Sequence, residues 1–299
     1  MQKIWINGKF VDPGRAKVSV FDRGFMYGDG LFETMRAYAG RVFKLDLHLA
    51  RLFRSLDVVR IEHKYSKKYL HDAVYKTLKT NRLSSAYIKL AVTRGEGRLA
   101  CRRSYTVQAG RFGISHEDAF SPNIVITAKD FEGYPRWMLE TGLSANITGV
   151  QNEESVTSRI KTLNYLPYIL ARFDAKRKGF DEAILTNTKG CITEAATSNI
   201  FIVKDDKLIT PSVASGILPG ITRGVIIEIA KKLKMSVKDK LVSRRELLNA
   251  DEIFLTNSLA EILPVTKVDS KRIGSGLVGL ITKLLHISYQ KAVIRDVLL

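Results

Sequence analysis

Arg159-Ile160-Lys161-Thr162-Leu163-Asn164-Tyr165-Leu166 is the stretch from which the rest of the chain is read. Asn164 is a good N-cap, Pro167 falls in the first turn where a missing N–H does no harm, and Gly179 follows Lys178 as a C-terminal stop. The sequence therefore predicts a helix over 164–178. Lys161 then stands just outside that helix, at the end of a polar loop, where its amine can meet an aldehyde. One basic residue among 48 is by default a solvated surface charge, so its companions decide the matter.

The bulk properties narrow the classes. A chain of 299 residues with 45% hydrophobic and 9% aromatic content can bury a large core. It exceeds the usual single-domain size of about 100–150 residues, which predicts two lobes. Seven prolines and 21 scattered glycines, with no low-complexity tract, exclude a disordered or repetitive chain. No apolar run reaches the roughly 18 residues of a membrane span. The opening Met1-Gln2-Lys3-Ile4-Trp5-Ile6-Asn7-Gly8-Lys9-Phe10 reads as a hairpin on an Asn-Gly turn and not as a signal peptide, which predicts a cytoplasmic protein. Cys101 and Cys191 cannot build a disulfide framework, and His48, His63, His71, His116 and His286 show no ligand spacing, so no metal is expected. The net charge of +18 raises nucleic-acid binding, but Lys and Arg are spread throughout and no helix-turn-helix, RRM or zinc-finger pattern appears. No nucleic-acid partner is expected.

Alternation predicts strands at 18–20, 31–38 and 86–93, and a 3.6 period predicts helices over 45–59 and 67–79. These make a smaller N-terminal α/β lobe, residues 1–120. From Arg98 to Pro122 the periodicity lapses into an arginine-bearing loop, with the boundary near Ser121. A larger, β-rich C-terminal lobe, residues 121–299, opens with a strand at 124–128. It continues through 183–186, a turn at 187–190, and strands at 191–194, 199–203 and 253–255. A helix follows Gly220, another is announced by the capping box Ser243-Arg244-Arg245-Glu246, and a last one follows Gly279. The fold class is α+β. Gly274-Ser275-Gly276-Leu277-Val278-Gly279 matches a dinucleotide-binding pattern, but no buried strand runs into it, so it reads as a loop.

Lys161 has several companions. Glu194 ends a strand beside the small polar run Ala195-Ala196-Thr197-Ser198-Asn199, which lets backbone approach a flat ligand. Gly216-Ile217-Leu218-Pro219-Gly220-Ile221-Thr222-Arg223 ends a loop and begins a helix, so the N–H groups of Ile221 and Thr222 offer a phosphate a positive dipole end. Ser258 adds a hydroxyl and Arg51 a guanidinium suited to bidentate contacts.

In this order the motifs resemble the class IV pyridoxal-phosphate enzymes: branched-chain aminotransferases, D-amino acid aminotransferases and aminodeoxychorismate lyases. The most specific pieces are Asp22-Arg23-Gly24, Tyr27-Gly28-Asp29-Gly30-Leu31-Phe32-Glu33, His48-x-x-Arg51-Leu52, Lys161 with Asn164, Thr193-Glu194 with Ser198-Asn199, and Gly220-Ile221-Thr222-Arg223. The resemblance implies a two-domain fold type IV enzyme and a homodimer. It implies that Lys161 forms a Schiff base with pyridoxal 5′-phosphate and then shuttles a proton. It also implies that Glu194 faces the pyridine nitrogen and that Arg51, Ile221, Thr222 and Ser258 hold the phosphate. Tyr165, Ser198 and Asn199 would complete the cofactor site, with Tyr27, Phe32, Arg36, Tyr87 and Arg98 toward substrate. Tyr87, Lys89, Ala91 and Thr93 alternate onto one strand face.

Tyr-Gly-Asp-Gly, Tyr87-Ile88-Lys89 and Leu-Pro-Gly-Ile-Thr-Arg are similar to branched-chain aminotransferases, whereas Thr34 and Thr197-Ser198-Asn199 are closer to the D-amino acid enzymes and the lyases. The loop Arg98-Leu99-Ala100-Cys101 lacks the histidine of the D-amino acid enzymes and the Gly-Tyr of the lyases. The expectation is a transaminase acting by ping-pong chemistry between branched-chain L-amino acids and a 2-oxo acid such as 2-oxoglutarate. D-amino acid transamination and pyruvate elimination from aminodeoxychorismate are the alternatives.

Overall fold

A computed structural model describes residues 2–96, 121–152 and 154–298. The chain divides into two compact units: Met1–Phe131 with Lys161–Asn164, and Glu132–Ile160 with Tyr165–Leu299.

The first unit is built on six strands, β1 (Ile4–Ile6), β2 (Lys9–Val11), β3 (Gly30–Tyr38), β4 (Arg41–Val42), β5 (Ala86–Thr93) and β6 (Asn123–Asp130), with helices α1 (Arg23–Tyr27), α2 (Leu45–Val58) and α3 (Lys67–Thr80). The order across the sheet is β2-β1-β6-β5-β3-β4, and every pairing is antiparallel. Asn7 and Gly8 both take positive φ, the backbone that a tight hairpin turn requires. Ile88, Leu90 and Val92 are buried while Tyr87, Lys89, Ala91 and Thr93 are partly exposed, so β5 is half-buried with a period of two. Helix α2 buries Leu45, Leu49, Leu52 and Leu56 at spacings of three and four.

In the second unit the strands are β7 (Leu143–Asn152), β8 (Glu182–Asn187), β9 (Cys191–Ala195), β10 (Asn199–Lys204), β11 (Lys207–Pro211), β12 (Val237–Lys240), β13 (Val242–Ser243), β14 (Glu252–Asn257), β15 (Glu261–Val268) and β16 (Lys271–Arg272). They form one ten-stranded sheet in the order β12-β11-β10-β14-β15-β7-β8-β9-β13, with β16 beside β15. The helices are α4 (Arg136–Glu140), α5 (Leu166–Arg177), α6 (Ile221–Lys232), α7 (Arg244–Leu248) and α8 (Leu280–Leu298). Ile200, Ile202, Ile253, Leu255, Leu263 and Val265 fill a core on one face of the sheet. Ser243 and Glu246 form the reciprocal capping box that opens α7. Among the described residues no helix is long and apolar enough to cross a membrane.

Four expectations are corrected. Val18–Val20 is not a strand: both valines are exposed and, among the described residues, no strand pairs with them. The strand at 124–128 belongs to the first sheet, because Asn123–Asp130 pairs with β5 along its whole length and also with β1. The division accordingly falls after Phe131 and not near Ser121. Helix α5 starts at Leu166 with Tyr165 as its N-cap; Asn164 instead donates its side-chain N–H to Gly28 O at 3.3 Å. The loop Arg98-Leu99-Ala100-Cys101 lies outside the described residues.

Candidate active site

Lys161 lies on a four-residue excursion into the first unit. Phe32 N–H donates to Lys161 O and Leu163 N–H to Gly30 O, both at 2.9 Å, and Thr162 bridges Leu31. The tetrapeptide is thus laid antiparallel along the start of β3, which sets the Lys161 Nζ 4.5 Å from the centre of the Phe32 ring. The Tyr27-Gly28-Asp29-Gly30 spacing follows from this docking. Gly28 sits at φ 68, and a Cβ there would strike the Asn164 side chain. Asp29 takes charge-assisted hydrogen bonds from Arg23 Nε (2.9 Å) and Arg94 Nε (2.8 Å), bracing the turn. Burial works against the Asp29 carboxylate, but the two guanidinium groups still hold its pKa below the usual value.

Below β3, Glu33 joins two side chains of α2. Arg51 donates Nε–H to Glu33 Oε1 (2.8 Å) and Nη2–H to Oε2 (2.7 Å), and the His48 Nδ1 lies 2.7 Å from the same Oε2. All three residues are buried. Burial alone would raise the Glu33 pKa, but the charge and hydrogen bonds of Arg51 and the hydrogen bond to His48 hold it at about 2. An anionic Glu33 accepts only, so Nδ1 is the protonated nitrogen of His48. The His48 pKa is depressed by burial, with Arg51 and Lys161 adding to the effect against the pull of Glu33.

Cross-strand register puts Phe32 opposite Ala91, Thr34 opposite Lys89 and Arg36 opposite Tyr87, so Phe32, Arg36, Tyr87 and Lys89 share one sheet face. The Lys89 Nζ is 4.6 Å from the centre of the Phe32 ring, and burial lowers its pKa. The Arg36 guanidinium lies over the rings of Tyr38 and Phe131. Tyr27 ends α1, 42% exposed, with Arg23 over its ring.

In the second unit Glu194 is buried on β9. Oε1 accepts from Asn152 Nδ2 (3.4 Å) and Tyr168 OH (3.3 Å), and Oε2 from Asn199 Nδ2 (3.3 Å) and Leu218 N–H (3.1 Å). Burial, then the Glu194 charge, raises the Tyr168 pKa, so that phenol stays a donor. Asn199 also donates to Leu218 O at 2.8 Å, tying β10 to the approach to α6. Tyr165 packs against Tyr168 with ring centres 4.9 Å apart. Ser198 accepts from Asn257, whose Oδ1 takes the N–H groups of Leu259 and Ala260 and so shapes the turn that carries Ser258. Helix α6 begins at Ile221 with no side-chain cap, and Arg223 pins its first turn to Thr210, Pro211 and Asp239. The first N–H groups of a helix have no partner in its ladder, and here Ile221 and Thr222 carry them.

Sequence reasoning assigned no role to Tyr168, Asn152, Glu33 or His48. Two signals were available: Tyr168 stands one helical turn after Tyr165, and His48 one turn before Arg51.

The first unit seats an amine on an aromatic ring, and the second, by itself, holds a buried carboxylate ringed by donors and a helix with no side-chain cap at its start. A model of the family "Amino-transferase class IV" matches residues 30–268. The chain is 41% identical over 285 residues to a putative branched-chain-amino-acid aminotransferase of Methanocaldococcus jannaschii, covering 95% of this chain and 93% of that one. It is 33% identical over 291 residues to the D-alanine aminotransferase of Staphylococcus haemolyticus, covering 97% and 98%. Among solved structures, the branched-chain amino acid aminotransferase of Escherichia coli superposes with a TM-score of 0.88 at 32% identity, over 99% of this chain and 96% of that one. The chain belongs to the class IV aminotransferase family, whose cofactor is pyridoxal 5′-phosphate.

Proposed function

We propose that the chain transfers the amino group of a branched-chain L-amino acid to a 2-oxo acid such as 2-oxoglutarate, in two half-reactions at one cofactor. The observation that carries this reading is Lys161, on a tetrapeptide fixed to β3 by two backbone hydrogen bonds, with its amine set on the Phe32 ring. The 41% identity to a protein named for branched-chain substrates supports the donor class.

The residues present fit pyridoxal 5′-phosphate. Glu194, buried and accepting four hydrogen bonds, suits a protonated ring nitrogen. The uncapped start of α6 suits a phosphate. In this reading Ile221, Thr222, Ser258 and Arg51 hold the phosphate, and Tyr165, Ser198 and Asn199 surround the ring. When bound, the cofactor supplies an electron sink for the charge left on a substrate carbon that loses its proton. Lys161 Nζ would take up the proton that the substrate carbon loses and give it back to complete the amino transfer. Glu194 would hold the cofactor's ring N–H, and Phe32 and Tyr87 would present an apolar wall to an aliphatic side chain. A homodimer is part of the proposal, supported by exposed Val20 (64%), Phe21 (47%) and Phe25 (75%) on the first unit. A cytoplasmic location belongs to it as well.

The test is the absorbance of the protein with pyridoxal 5′-phosphate before and after L-leucine, D-alanine and D-glutamate in separate cuvettes. Loss of the bound-cofactor band with L-leucine is expected. Loss only with a D-amino acid moves the reading to D-amino acid transamination, a second reading that the 33% identity to a D-alanine aminotransferase favours. A band unmoved by any of the three favours the lyase.

A further inference from the structure

Glu33 and His48 belong to none of the groups assigned to cofactor or substrate, yet they are as buried as any core residue and can carry charge. A carboxylate at 1% exposure requires compensation, and here it comes from Arg51 Nε and Nη2 and from His48 Nδ1. The arrangement is directional. Glu33 engages one edge of the Arg51 guanidinium with two parallel N–H···O bonds, and this fixes the plane of the group as well as its position. His48, one turn earlier on α2, holds the Glu33 oxygen that accepts from Nη2. A guanidinium on a long side chain has several rotatable bonds, and ordering it on binding costs affinity. One ordered beforehand does not incur that cost.

The geometry points to Glu33 and His48 as positioning residues for phosphate recognition: Glu33 presets the Arg51 guanidinium and His48 locks Glu33, so that the three act as one anion-binding unit. This rests on the reading of Arg51 as a phosphate ligand. It adds two residues outside the set assigned to the cofactor and distinguishes their contribution from that of the groups which meet the ring.

The experiment compares two probes that differ by the phosphate alone. Apoprotein is titrated with pyridoxal 5′-phosphate and, separately, with pyridoxal, and each dissociation constant is read from absorbance. Glu33→Gln should weaken pyridoxal 5′-phosphate roughly ten- to hundredfold, the worth of one charge-assisted contact, and leave pyridoxal within about twofold. His48→Leu should show the same selective loss to a smaller degree, and His48→Asn, which restores an N–H toward Glu33, should recover most of it. Equal weakening of both probes by Glu33→Gln would show a merely structural role, and unchanged binding of both would show none; either overturns the inference. Arg51→Ala separates the two layers. If it leaves pyridoxal 5′-phosphate affinity unchanged, the reading of Arg51 itself fails. If it weakens that affinity while Glu33→Gln does not, the positioning role alone fails. Should Glu33→Gln not fold, the His48→Leu and His48→Asn pair carries the test, and equal phosphate selectivity in both refutes it.

Discussion

Gly220 and Gly224 stand four residues apart around the start of α6, and replacing each by alanine should act in opposite directions. At Gly220 the backbone is no obstacle, with φ −67 and ψ 139. The obstacle is the Asn199 side chain, whose Oδ1 occupies the place of a Cβ and whose Cγ lies 3.1 Å from it. Asn199 cannot yield freely, because its amide donates to Glu194 Oε2 (3.3 Å) and to Leu218 O (2.8 Å). Displacing it forfeits one neutral hydrogen bond and one to a carboxylate, together about 2–4 kcal/mol. Gly224 is inside the helix with nothing within 4 Å of an added Cβ, so Gly224→Ala should stabilise by about 0.5–1 kcal/mol. Chemical denaturation of the apoprotein measures both. A double-mutant cycle with Asn199→Ala tests the cause, since removing the amide removes the obstacle and Gly220→Ala should then cost far less than in the wild type. Additive effects, or Gly220→Ala as harmless as Gly224→Ala, would refute the reasoning.

Three further outcomes are expected. Lys161→Ala should abolish turnover and the bound-cofactor absorbance band but leave apoprotein stability within about 0.5 kcal/mol, because the tetrapeptide is held by backbone bonds and the lysine side chain is only half-buried; retained turnover sinks the assignment. The first unit should be acid-labile in two stages. The depressed His48 pKa gives stability that is complete above about 6.5 and lost as pH falls below it, and the Glu33 pKa of about 2 gives stability complete above 4.5 and lost toward 2. Each stage has a limiting slope of about 1.4 kcal/mol per pH unit, and denaturation of His48→Asn between pH 7.5 and 5.5 should lose the first stage; an unchanged slope counts against it. Ser243→Ala should cost about 1 kcal/mol through the lost cap of α7. It should also raise the Glu246 pKa from about 2, which Lys240 first and Ser243 second keep low, and carboxylate titration by NMR would show it.

Local signals carried much of the fold. Helices α2 and α3 fall within a residue of their apolar periodicity, the Asn7-Gly8 hairpin follows from turn chemistry, and the α7 capping box is written in Ser243 and Glu246. What failed was what distance decides. The strand at 123–130 alternates like any other, and only its pairing with β5 and with Trp5 and Ile6 assigns it to the first sheet. Asn164 has a cap's composition, but Gly28, far back in the chain, competes for its side chain and wins. Val18 and Val20 alternate, yet both are exposed and no strand among the described residues pairs with them.

The candidate site shows the same division at higher resolution. Residues proposed to meet a ligand are legible because chemistry restricts their type: an amine, a carboxylate, an arginine, a helix start. Residues that orient them are restricted by geometry alone, and geometry is read from neighbours. Glu33 stood in plain view at the end of Tyr27-Gly28-Asp29-Gly30-Leu31-Phe32-Glu33, and His48 began His48-x-x-Arg51, yet nothing local says that 33 turns under the sheet to meet 51. Two periodicities together do say it. Phe32 and Glu33 must point to opposite faces of β3, and His48 and Arg51 must share one face of α2. If Phe32 faces the reacting amine, Glu33 faces the helix, and a buried carboxylate opposite a helix face carrying arginine and histidine will pair with them. The motif is therefore two structures in one: Phe32 faces the Lys161 amine, and Glu33, on the opposite face of β3, pairs with Arg51 beneath.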